Sequence, residues 1–277
     1  MPELPEVETI RRDLAERLPG RKIAAIEIFS AKTALPSAAF LKRHLSGRRI
    51  VGVDRRGKLL IIRLKPAKGS PDNLLIHLKM TGQLIYIGPQ SRIAGGHSLS
   101  AARQGFEAAV GGILPNAYTR AVITLSPQAT LYFNDLRKFG YIKLATEAEL
   151  VKIIAANYGP EPLTADFTRV SLEKALAGKK VKVKAALLDQ KRIAGLGNIY
   201  VDESLFAAGI SPLRLAKDVS PEEVKKLHGV INKIIKKAIL HRGTTFSDYR
   251  DSRGKKGNFS AFLQVYGRHG QACPNCG

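Results

Sequence analysis

The chain has few acidic residues, two cysteines and no uninterrupted apolar run long enough to cross a membrane. Because it also lacks an N-terminal signal peptide, we expect a soluble, cytosolic protein without a membrane partner. Cys273 and Cys276 stand in the spacing Cys-Pro-Asn-Cys. In a reducing compartment this spacing is typical of a metal knuckle rather than of a structural disulfide. We therefore treat the two thiols as candidate metal ligands.

The shortage of acidic residues leaves a large positive charge. The 277 residues include 45 Lys and Arg but 23 Asp and Glu, which gives a net charge of +22. A charge of this size indicates a polyanionic partner, most often nucleic acid. A membrane surface is the alternative, but no basic amphipathic helix dominates the sequence. With 44% hydrophobic residues, the chain can build one large or two ordinary domains.

The most informative stretch is Pro-Glu-Leu-Pro-Glu-Val at positions 2–7. Removal of Met1 would expose Pro2 as a secondary amine with a pKa of roughly 8, partly unprotonated near neutral pH. Such an amine can attack an electrophilic carbon and form an iminium intermediate, while Glu3 exchanges protons beside it. Pro5 in a first helical turn predicts that both are held rigidly at a helix N-terminus. The alternative is an ordinary surface terminus.

From Lys22 to Leu144 the pattern is mainly β. Short apolar stretches and turn signals predict an antiparallel β-sandwich behind the N-terminal helix, and hence an α+β fold. The predicted strands are Ile23–Phe29, Arg49–Asp54, Leu59–Leu64, Leu74–Leu78, Gln83–Ile87, Ala121–Leu125, Thr130–Asn134 and Gly140–Leu144. Between them, Gly88 to Asn116 is predicted to be a long mobile loop with a short helix near Ala101–Ala109.

After a linker-like segment from Tyr158 to Leu163, the apolar period becomes helical. The predicted helices are Leu172–Ala177, Val183–Asp189, Ile199–Ala208 and Pro221–His241. The last of these has Ser220 as its N-cap and Gly243 past its end. The second half of the chain is therefore predicted to be a helical unit.

A glycine-containing turn from Gly195 to Ile199 joins two of these helices. Backbone N–H groups at the start of the second helix suit a phosphate, and Asn198 adds a side-chain donor. Lys179 and Lys180 supply positive charge upstream and are placed around the same turn. A plain helix–turn–helix corner with a solvated basic face is the alternative.

Six short motifs follow one another along nearly the whole chain. They are Pro-Glu-Leu-Pro-Glu-Val-Glu-Thr at 2–9, Arg-Arg-Gly-Lys at 55–58, His-Leu-Lys-Met-Thr-Gly at 77–82, Asn-Asp-Leu-Arg-Lys-Phe-Gly at 134–140, and the stretches 187–200 and 242–250. Together they resemble the bacterial formamidopyrimidine-DNA glycosylase family. The leucine in the first motif separates the chain from the related endonuclease VIII, whose N-terminus typically lacks it.

The resemblance implies a bifunctional repair enzyme acting on double-stranded DNA that contains oxidised bases. Pro2 would attack C1′ of an oxidised purine nucleotide and release 8-oxoguanine or a formamidopyrimidine. Glu3 would shuttle protons while the sugar ring opens, and Lys58 would be the second proton donor, used in β-elimination. From the residues alone, a lysine near substrate can act as an acid, but an ordinary turn residue fits Lys58 too.

A damaged base must leave the duplex to be reached, which costs a few kcal/mol of unstacking. The resemblance implies that Met80, Arg137 and Phe139 fill the gap as a wedge, with Arg137 facing the orphaned base and Lys138 beside it. Apolar wedges are known in DNA-bending proteins. The alternative is that Met80 and Phe139 are ordinary core residues.

The chain departs from the family pattern at three places. Tyr118 and Arg120 replace histidines before a strand, although both can donate hydrogen bonds to a phosphate. Leu136 stands where a proline is usual. Cys273 and Cys276 correspond to half of a zinc finger, whereas tetrahedral zinc needs four ligands. The family's second cysteine pair, and its arginine used in δ-elimination, do not appear in the sequence. We therefore expect zinc, the family's cofactor, to bind weakly or not at all.

The predicted organisation is a catalytic β-sandwich over 1–145, a helix-two-turn-helix DNA-binding domain over 146–256 and an incomplete zinc-finger segment over 257–277. We expect a monomeric, cytoplasmic bacterial enzyme associated with the nucleoid. One alternative is a lesion-binding protein whose chemistry is impaired by the incomplete finger, and the other an endonuclease VIII-like glycosylase for oxidised pyrimidines. The presence of Pro2, Glu3 and Lys58 argues against pure binding.

Overall fold

The computed structural model describes residues 2–99, 105–244 and 259–277. Within these ranges the strands are Lys22–Ile28 (β1), Ala34–Leu35 (β2), Ile50–Arg56 (β3), Leu59–Leu64 (β4), Asn73–His77 (β5), Gly82–Ile87 (β6), Arg92–Gly96 (β7), Thr119–Ser126 (β8), Ala129–Asp135 (β9) and Tyr141–Ala145 (β10). The helices are Leu4–Ala15 (α1), Ala38–Leu45 (α2), Phe106–Val110 (α3), Glu147–Asn157 (α4), Arg169–Leu176 (α5), Val183–Leu188 (α6), Asn198–Ala208 (α7) and Pro221–Leu240 (α8).

The strands form two five-stranded sheets that pack as a sandwich. One has the order β1-β8-β9-β6-β7 and the other β2-β10-β5-β4-β3. The named pairs are antiparallel, except that β2 runs parallel to β10. Side chains from both sheets, such as Leu84, Phe133 and Ile62, share one buried core. The predicted α+β fold is therefore confirmed.

Helix α1 belongs to two cores at once. Val7, Ile10 and Leu14 lie at helical spacing and pack into the sandwich core, as the apolar stripe of the sequence requires. Leu4, one residue after the Glu3 N-cap, packs instead into the core of the helical half. The helix thus joins the sandwich to the helical half at its own N-terminus.

The helical half is built from α5 to α8. The predicted cap of α8 is present, because the Ser220 hydroxyl accepts the Glu223 N–H while the Glu223 carboxylate accepts the Ser220 N–H. Such a capping box satisfies two N–H groups that would otherwise lack partners.

Among the described residues, no helix is both long and apolar enough to cross a membrane. The domain boundaries at 145 and 256 stay a prediction, and residue 256 lies outside the described ranges.

The predicted loop from Gly88 to Asn116 is wrong in part. Strand β7 pairs antiparallel with β6, because Ile93 and the backbone of Gly95 and Gly96 complete the edge of that sheet. The predicted helix near Ala101–Ala109 is observed only as the shorter α3, and residues 100–104 lie outside the described ranges. Helices α2 and α4 were not predicted, although Ser37 and Thr146 cap them.

Candidate active site and nucleic-acid interface

The Glu3 carboxylate is bound by the N-terminus of α7. Its Oε1 accepts the Ile199 N–H at 3.0 Å, and its Oε2 accepts the Tyr200 N–H at 3.4 Å. A Cβ atom on Gly197 would lie 2.3 Å from Cδ of Glu3, so no other residue fits beneath this side chain. The glycine and the helix N-terminus together form the site that receives Glu3.

This arrangement corrects the prediction of a phosphate site at the same turn. The backbone N–H groups of Ile199 and Tyr200 donate to a carboxylate of the protein itself. Gly195 adds a further hydrogen bond between the start of α1 and this turn, because its carbonyl accepts the Leu4 N–H at 3.0 Å. Its φ of +89° lies in the left-handed region that favours glycine. The Asn198 side chain is exposed, and its predicted role as a donor to a phosphate stays a prediction.

Glu3 has the electrostatic character of an acid–base group. Burial raises the pKa of the Glu3 carboxyl from 4.5 to about 7, against the lowering effect of the Lys58 charge and the two amide hydrogen bonds. A carboxyl with a pKa near neutrality can both donate and accept a proton at the working pH. Pro2 is buried directly before this residue, so the start of α1 fixes its position.

Glu6 anchors the same helix end to the helical half. Its fully buried carboxylate accepts the Glu3 N–H at 2.9 Å, the Tyr200 hydroxyl at 2.7 Å and the Thr244 N–H at 2.8 Å. A Cβ on Gly243 would lie 2.5 Å from Oε1 of Glu6. In the sequence, Glu6 is one residue of the motif at positions 2–9 and has no role of its own. The observed role required contacts about 240 residues apart.

Lys58 follows Gly57 in the turn between β3 and β4 and is buried. Burial lowers the pKa of Lys58 below its ordinary value, the charges of Glu3 and Glu6 act to raise it, and Lys79 adds to the lowering. Glu3 and Lys58 thus influence each other, and both stand beside the N-terminal segment. The structure therefore brings the three predicted catalytic residues, Pro2, Glu3 and Lys58, to one region.

Met80, Arg137 and Phe139 form a cluster on the surface, here called the wedge cluster. Met80 is 42% exposed and Phe139 is 54% exposed, so neither is a core residue. The Arg137 Nη1 lies 3.3 Å from Sδ of Met80, and its guanidinium carbon lies 5.0 Å from the centroid of the Phe139 ring. Such exposed apolar groups indicate an interaction site.

Asp135 shapes the loop that carries two members of the wedge cluster. Its buried carboxylate accepts the Thr81 hydroxyl, the Arg137 N–H at 3.2 Å and the Gly140 N–H at 2.7 Å. Lys138, between these positions, is exposed with a φ of +59°. In the sequence, Asp135 is part of the motif at 134–140 but has no assigned role.

His77 shapes the loop of the third member, Met80. Its Nδ1 accepts the Lys79 N–H at 3.0 Å. Burial lowers the pKa of His77 to about 3, with the Lys79 and Lys58 charges adding to the effect. The ring is therefore neutral and able to accept this hydrogen bond.

Tyr118 lies at the same end of the sheet as the wedge cluster. Its carbonyl accepts the Asp135 N–H at 2.9 Å, and its partly exposed ring packs over Gly111. Arg120 is buried, and its Nε donates to the Asp135 carbonyl at 2.8 Å. Arg120 thus supports the wedge loop and, being buried, is not placed for the phosphate contact suggested by the sequence. Tyr118 is partly exposed, and its contact with DNA stays a prediction.

Lys179, Lys180 and Asn198 were predicted to lie around one turn, but the structure places them at two different turns. Lys179 and Lys180 lie between α5 and α6, whereas Asn198 begins α7 after a second turn. Lys180 and Asn198 are exposed and Lys179 is partly exposed. The prediction failed because the short helix α6 separates the two turns. Both turns belong to the helical half, so each stays a candidate for phosphate contact.

The two cysteines supply an incomplete metal site. Backbone hydrogen bonds from Asn275 and Cys276 lower the pKa of Cys273, and a hydrogen bond with Cys273 raises that of Cys276. Over the described residues, no three His, Cys, Asp or Glu side chains come together to hold a metal. Two ligands do not fit tetrahedral zinc.

We expect the purified 277-residue chain to contain far less than one zinc per molecule after dialysis, because two thiols leave half of the coordination sphere to water. Metal analysis by mass spectrometry checks this, and Cys273→Ser should lower the residual zinc further. One tightly held zinc per chain would show that other residues complete the site.

Comparison with known proteins agrees with the fold and the site. A profile of the formamidopyrimidine-DNA glycosylase N-terminal domain matches residues 1–142, and a profile of the family's H2TH domain matches residues 158–250. The formamidopyrimidine-DNA glycosylase of Moorella thermoacetica is 39% identical over 279 residues, which cover 100% of this chain and 92% of the relative. That of Heliobacterium modesticaldum is 41% identical over 280 residues, with the same coverage.

Solved structures show the same similarity. A Lactococcus lactis FPG variant in complex with DNA containing Fapy-dG superposes with a TM-score of 0.81 at 33% identity, covering 100% of this chain and 92% of that one. MutM in complex with DNA containing carbocyclic 8-oxo-G gives a TM-score of 0.80 at 33% identity and the same coverage. These matches define a class of proteins that join a β-sandwich to a helix-two-turn-helix unit. The chain belongs to the formamidopyrimidine-DNA glycosylase family.

The wedge cluster leads to a specific prediction. Phe139→Ala should slow release of a damaged base by about 10- to 100-fold, because a few kcal/mol of lost stacking are no longer replaced. Cleavage at a preformed abasic site should fall less, since no base has to be extruded. Single-turnover kinetics on the two duplexes measure the difference.

Leu136→Ala is the matched control, because Leu136 is 47% exposed in the same loop but outside the wedge cluster. Thermal stability should be unchanged in both variants. A loss of about 3 to 5 kcal/mol in Phe139→Ala would instead be typical of a core residue.

Proposed function

We propose that this protein is a base-excision repair DNA glycosylase and abasic-site lyase that removes oxidised purines through a Pro2 Schiff base. The nitrogen of Pro2 forms a bond to C1′ while the glycosidic bond breaks, and the damaged base leaves with the proton that the Pro2 nitrogen loses. The C1′–O4′ bond then opens, O4′ takes a proton from Glu3, and the cation remains on the iminium. In the β-elimination, water takes the C2′ proton, a C2′–C3′ double bond forms and the C3′–O bond breaks. Lys58, as second proton donor, gives its proton to the phosphate oxygen that leaves.

One observation carries this proposal. The Glu3 carboxyl, whose pKa is raised to about 7, is bound to the α7 N-terminus directly beside the buried Pro2, and Lys58 is its main opposing charge. A proton donor near neutrality beside a secondary amine is what iminium chemistry at C1′ requires. A protein that only binds lesions has no need of a carboxyl with this raised pKa.

The substrate class is inferred from the relatives. Structures of the Lactococcus lactis Fpg contain DNA with Fapy-dG or with an abasic site, and MutM contains carbocyclic 8-oxo-G. The leucine at position 4 favours the same family over endonuclease VIII. We therefore propose 8-oxoguanine and formamidopyrimidines as the released bases, rather than oxidised pyrimidines.

Borohydride trapping on matched duplexes tests the proposal. The protein is incubated with duplexes that differ only in one base, 8-oxoguanine, an oxidised pyrimidine or normal guanine. We expect a covalent adduct and strand cleavage with the 8-oxoguanine duplex. Adducts with the oxidised pyrimidine alone would favour the endonuclease VIII-like alternative, and binding without adducts would favour a lesion-binding protein.

The charge of +22 predicts strongly salt-dependent binding to DNA. Each neutralised phosphate contributes about −0.9 to the slope of log K against log salt. Lys180→Ala should make that slope shallower by about one unit. Lys184→Ala is the control, because the Lys184 ammonium already lies 2.8 Å from the Asp202 carboxylate. Affinity that stays flat between low and moderate salt would contradict the proposed polyanion partner.

We further infer a monomer that works in the bacterial cytoplasm on chromosomal DNA, with catalysis in the segment 1–145 and DNA binding shared with 146–256. The family's domain profiles divide the chain near the same place, since one ends at 142 and the next begins at 158. Size-exclusion chromatography with light scattering tests the monomer.

A further inference from the structure

The turn that carries Lys58 is held by a residue from outside the sandwich. Glu161 lies in the segment between α4 and α5, yet its carboxylate is only 3% exposed. Its Oε2 accepts the N–H of Gly57, directly before Lys58, at 2.5 Å. A buried carboxylate needs such partners, because removing an unpaired charge from water is costly.

Glu161 also contributes to the hydrogen bond of the Gly57 carbonyl, through Arg55. Its Oε1 accepts from Nη2 of Arg55 at 2.7 Å, and Nη1 of Arg55 donates to the Gly57 carbonyl at 2.8 Å. Arg55 is itself fixed by Glu8, which accepts from its Nε at 3.1 Å. Glu161 therefore binds the N–H of Gly57 directly, and together with Glu8 it positions Arg55, which binds the Gly57 carbonyl.

The backbone at this position requires that support. Gly57 has a φ of +57°, and a Cβ atom there would lie 2.8 Å from Cδ1 of Tyr158. The left-handed conformation is accessible to glycine, but glycine is also the most flexible residue when its hydrogen bonds are lost. Without Glu161, the turn has a wider choice of conformations, and Lys58 moves with it.

The position of Lys58 matters because three charged groups face it. Glu3 is the N-cap of α1, Glu6 lies in its first turn, and Lys79 lies in the loop between β5 and β6. The Glu161 carboxylate is hydrogen-bonded to Gly57 and Arg55 and not to the Lys58 side chain. Glu161 instead fixes the main chain of the turn that carries Lys58. It therefore affects the reaction by positioning Lys58, and not by placing its own charge next to the reacting atoms.

We propose that Glu161 is a positioning residue for the reaction, which fixes the Gly57–Lys58 turn and so places the Lys58 ammonium beside Glu3. This inference rests on the proposed function of Lys58 as proton donor. A displacement of about 1 Å in a catalytic group can cost roughly 100-fold in rate. Loss of Glu161 should therefore weaken strand cleavage much more than formation of the Pro2 adduct.

A double-mutant cycle tests the proposal in the full chain. The variants are Glu161→Ala, Lys58→Ala and the combination, with single-turnover strand cleavage at a preformed abasic site as the readout. Glu161→Ala should reduce cleavage by about 10- to 100-fold, while borohydride trapping stays within about threefold. If Glu161 acts through Lys58, the double variant should be no slower than Lys58→Ala alone.

Two further variants separate positioning from folding. Glu161→Gln keeps an oxygen that can accept the Gly57 N–H, so it should recover most of the cleavage rate. Asp54→Asn is the matched control, because the Asp54 carboxylate on β3 binds Nε of Arg63 at 2.8 Å and not Gly57. It should leave cleavage and trapping unchanged.

The pH dependence of the strand-cleavage rate separates positioning from general destabilisation, because destabilisation alone would not shift it. In Glu161→Ala the released turn exposes Lys58 to water, so the limb of the cleavage profile that belongs to Lys58 should move to higher pH. Rate losses that add in the double variant, with an unmoved profile, would overturn the role of Glu161. Absence of any wild-type adduct or cleavage would instead overturn the proposed function itself.

Discussion

Replacing Pro2 by glycine should reduce release of 8-oxoguanine by at least about 100-fold. A secondary amine gives an iminium whose positive charge needs no added proton, whereas the imine of a primary amine is a strong electron sink only when protonated. Proline also fixes its own φ, while glycine at a chain end is free to rotate. Affinity for the lesion duplex should change little, because the positive surface is untouched.

The measurement combines single-turnover base release with a peptide map of the trapped adduct. In the wild-type protein the map should place the DNA at residue 2. Pro66→Gly is the control, because it makes the same replacement at an exposed proline between β4 and β5 and leaves the terminal amine intact. A crosslink at Lys58, or normal base release by Pro2→Gly, would show that another amine is the nucleophile.

The sequence was most informative where local rules decide the structure. The strand Leu59–Leu64 was predicted with its observed bounds, because apolar residues fill it and Gly57 marks the turn before it. The N-cap of α8 followed from Ser220 and Pro221. Strand β7 was missed because Gly95 and Gly96 resemble loop residues, although pairing with β6 gives them a regular sheet conformation.

The site was harder to predict because its contacts are remote in sequence. The turn from Gly195 to Ile199 has the residues of an anion site, and an anion does occupy it. That anion is Glu3, which lies 196 residues before Ile199. The sequence pattern for binding a carboxylate and that for binding a phosphate are the same, so only the tertiary structure separates them.

Glu161 and Asp135 illustrate the same limit. Both are buried carboxylates that bind backbone N–H groups of functional turns. In the sequence, Glu161 stands between two prolines and Asp135 follows Asn134 at the end of a predicted strand, and such residues are also usual in ordinary turns. Their burial, which reveals their role, arises only when distant segments pack together.

Glu3→Gln should lower the catalytic activity but raise the stability of the folded protein at pH 8. Base release and ring opening should fall by about 10²- to 10⁴-fold, because glutamine cannot transfer a proton. The pH dependence of the remaining activity should lose the limb near pH 7, since this limb reports the Glu3 carboxyl, whose pKa is raised by burial to about 7.

Stability should change in the other direction. The carboxyl of Glu3 has a higher pKa in the folded protein than in the unfolded chain, so the folded state binds the proton more tightly. The associated stabilisation is fully present below pH 4.5 and is lost as the pH rises through about 7. At pH 8 the buried charge costs the native state about 3 kcal/mol, and Glu3→Gln removes that cost.

Urea unfolding at pH 4.5 and at pH 8 measures this effect. The two proteins should have similar free energies of unfolding at pH 4.5, whereas Glu3→Gln should be more stable at pH 8 by about 3 kcal/mol. Glu16→Gln, at the exposed end of the same helix, should stay within about 0.5 kcal/mol of wild type at both values. Parallel pH dependence in wild type and Glu3→Gln would mean that Glu3 is not held as a high-pKa acid. The lost activity would then need a cause other than proton transfer, because the same burial that costs stability is what gives Glu3 a usable proton near neutrality.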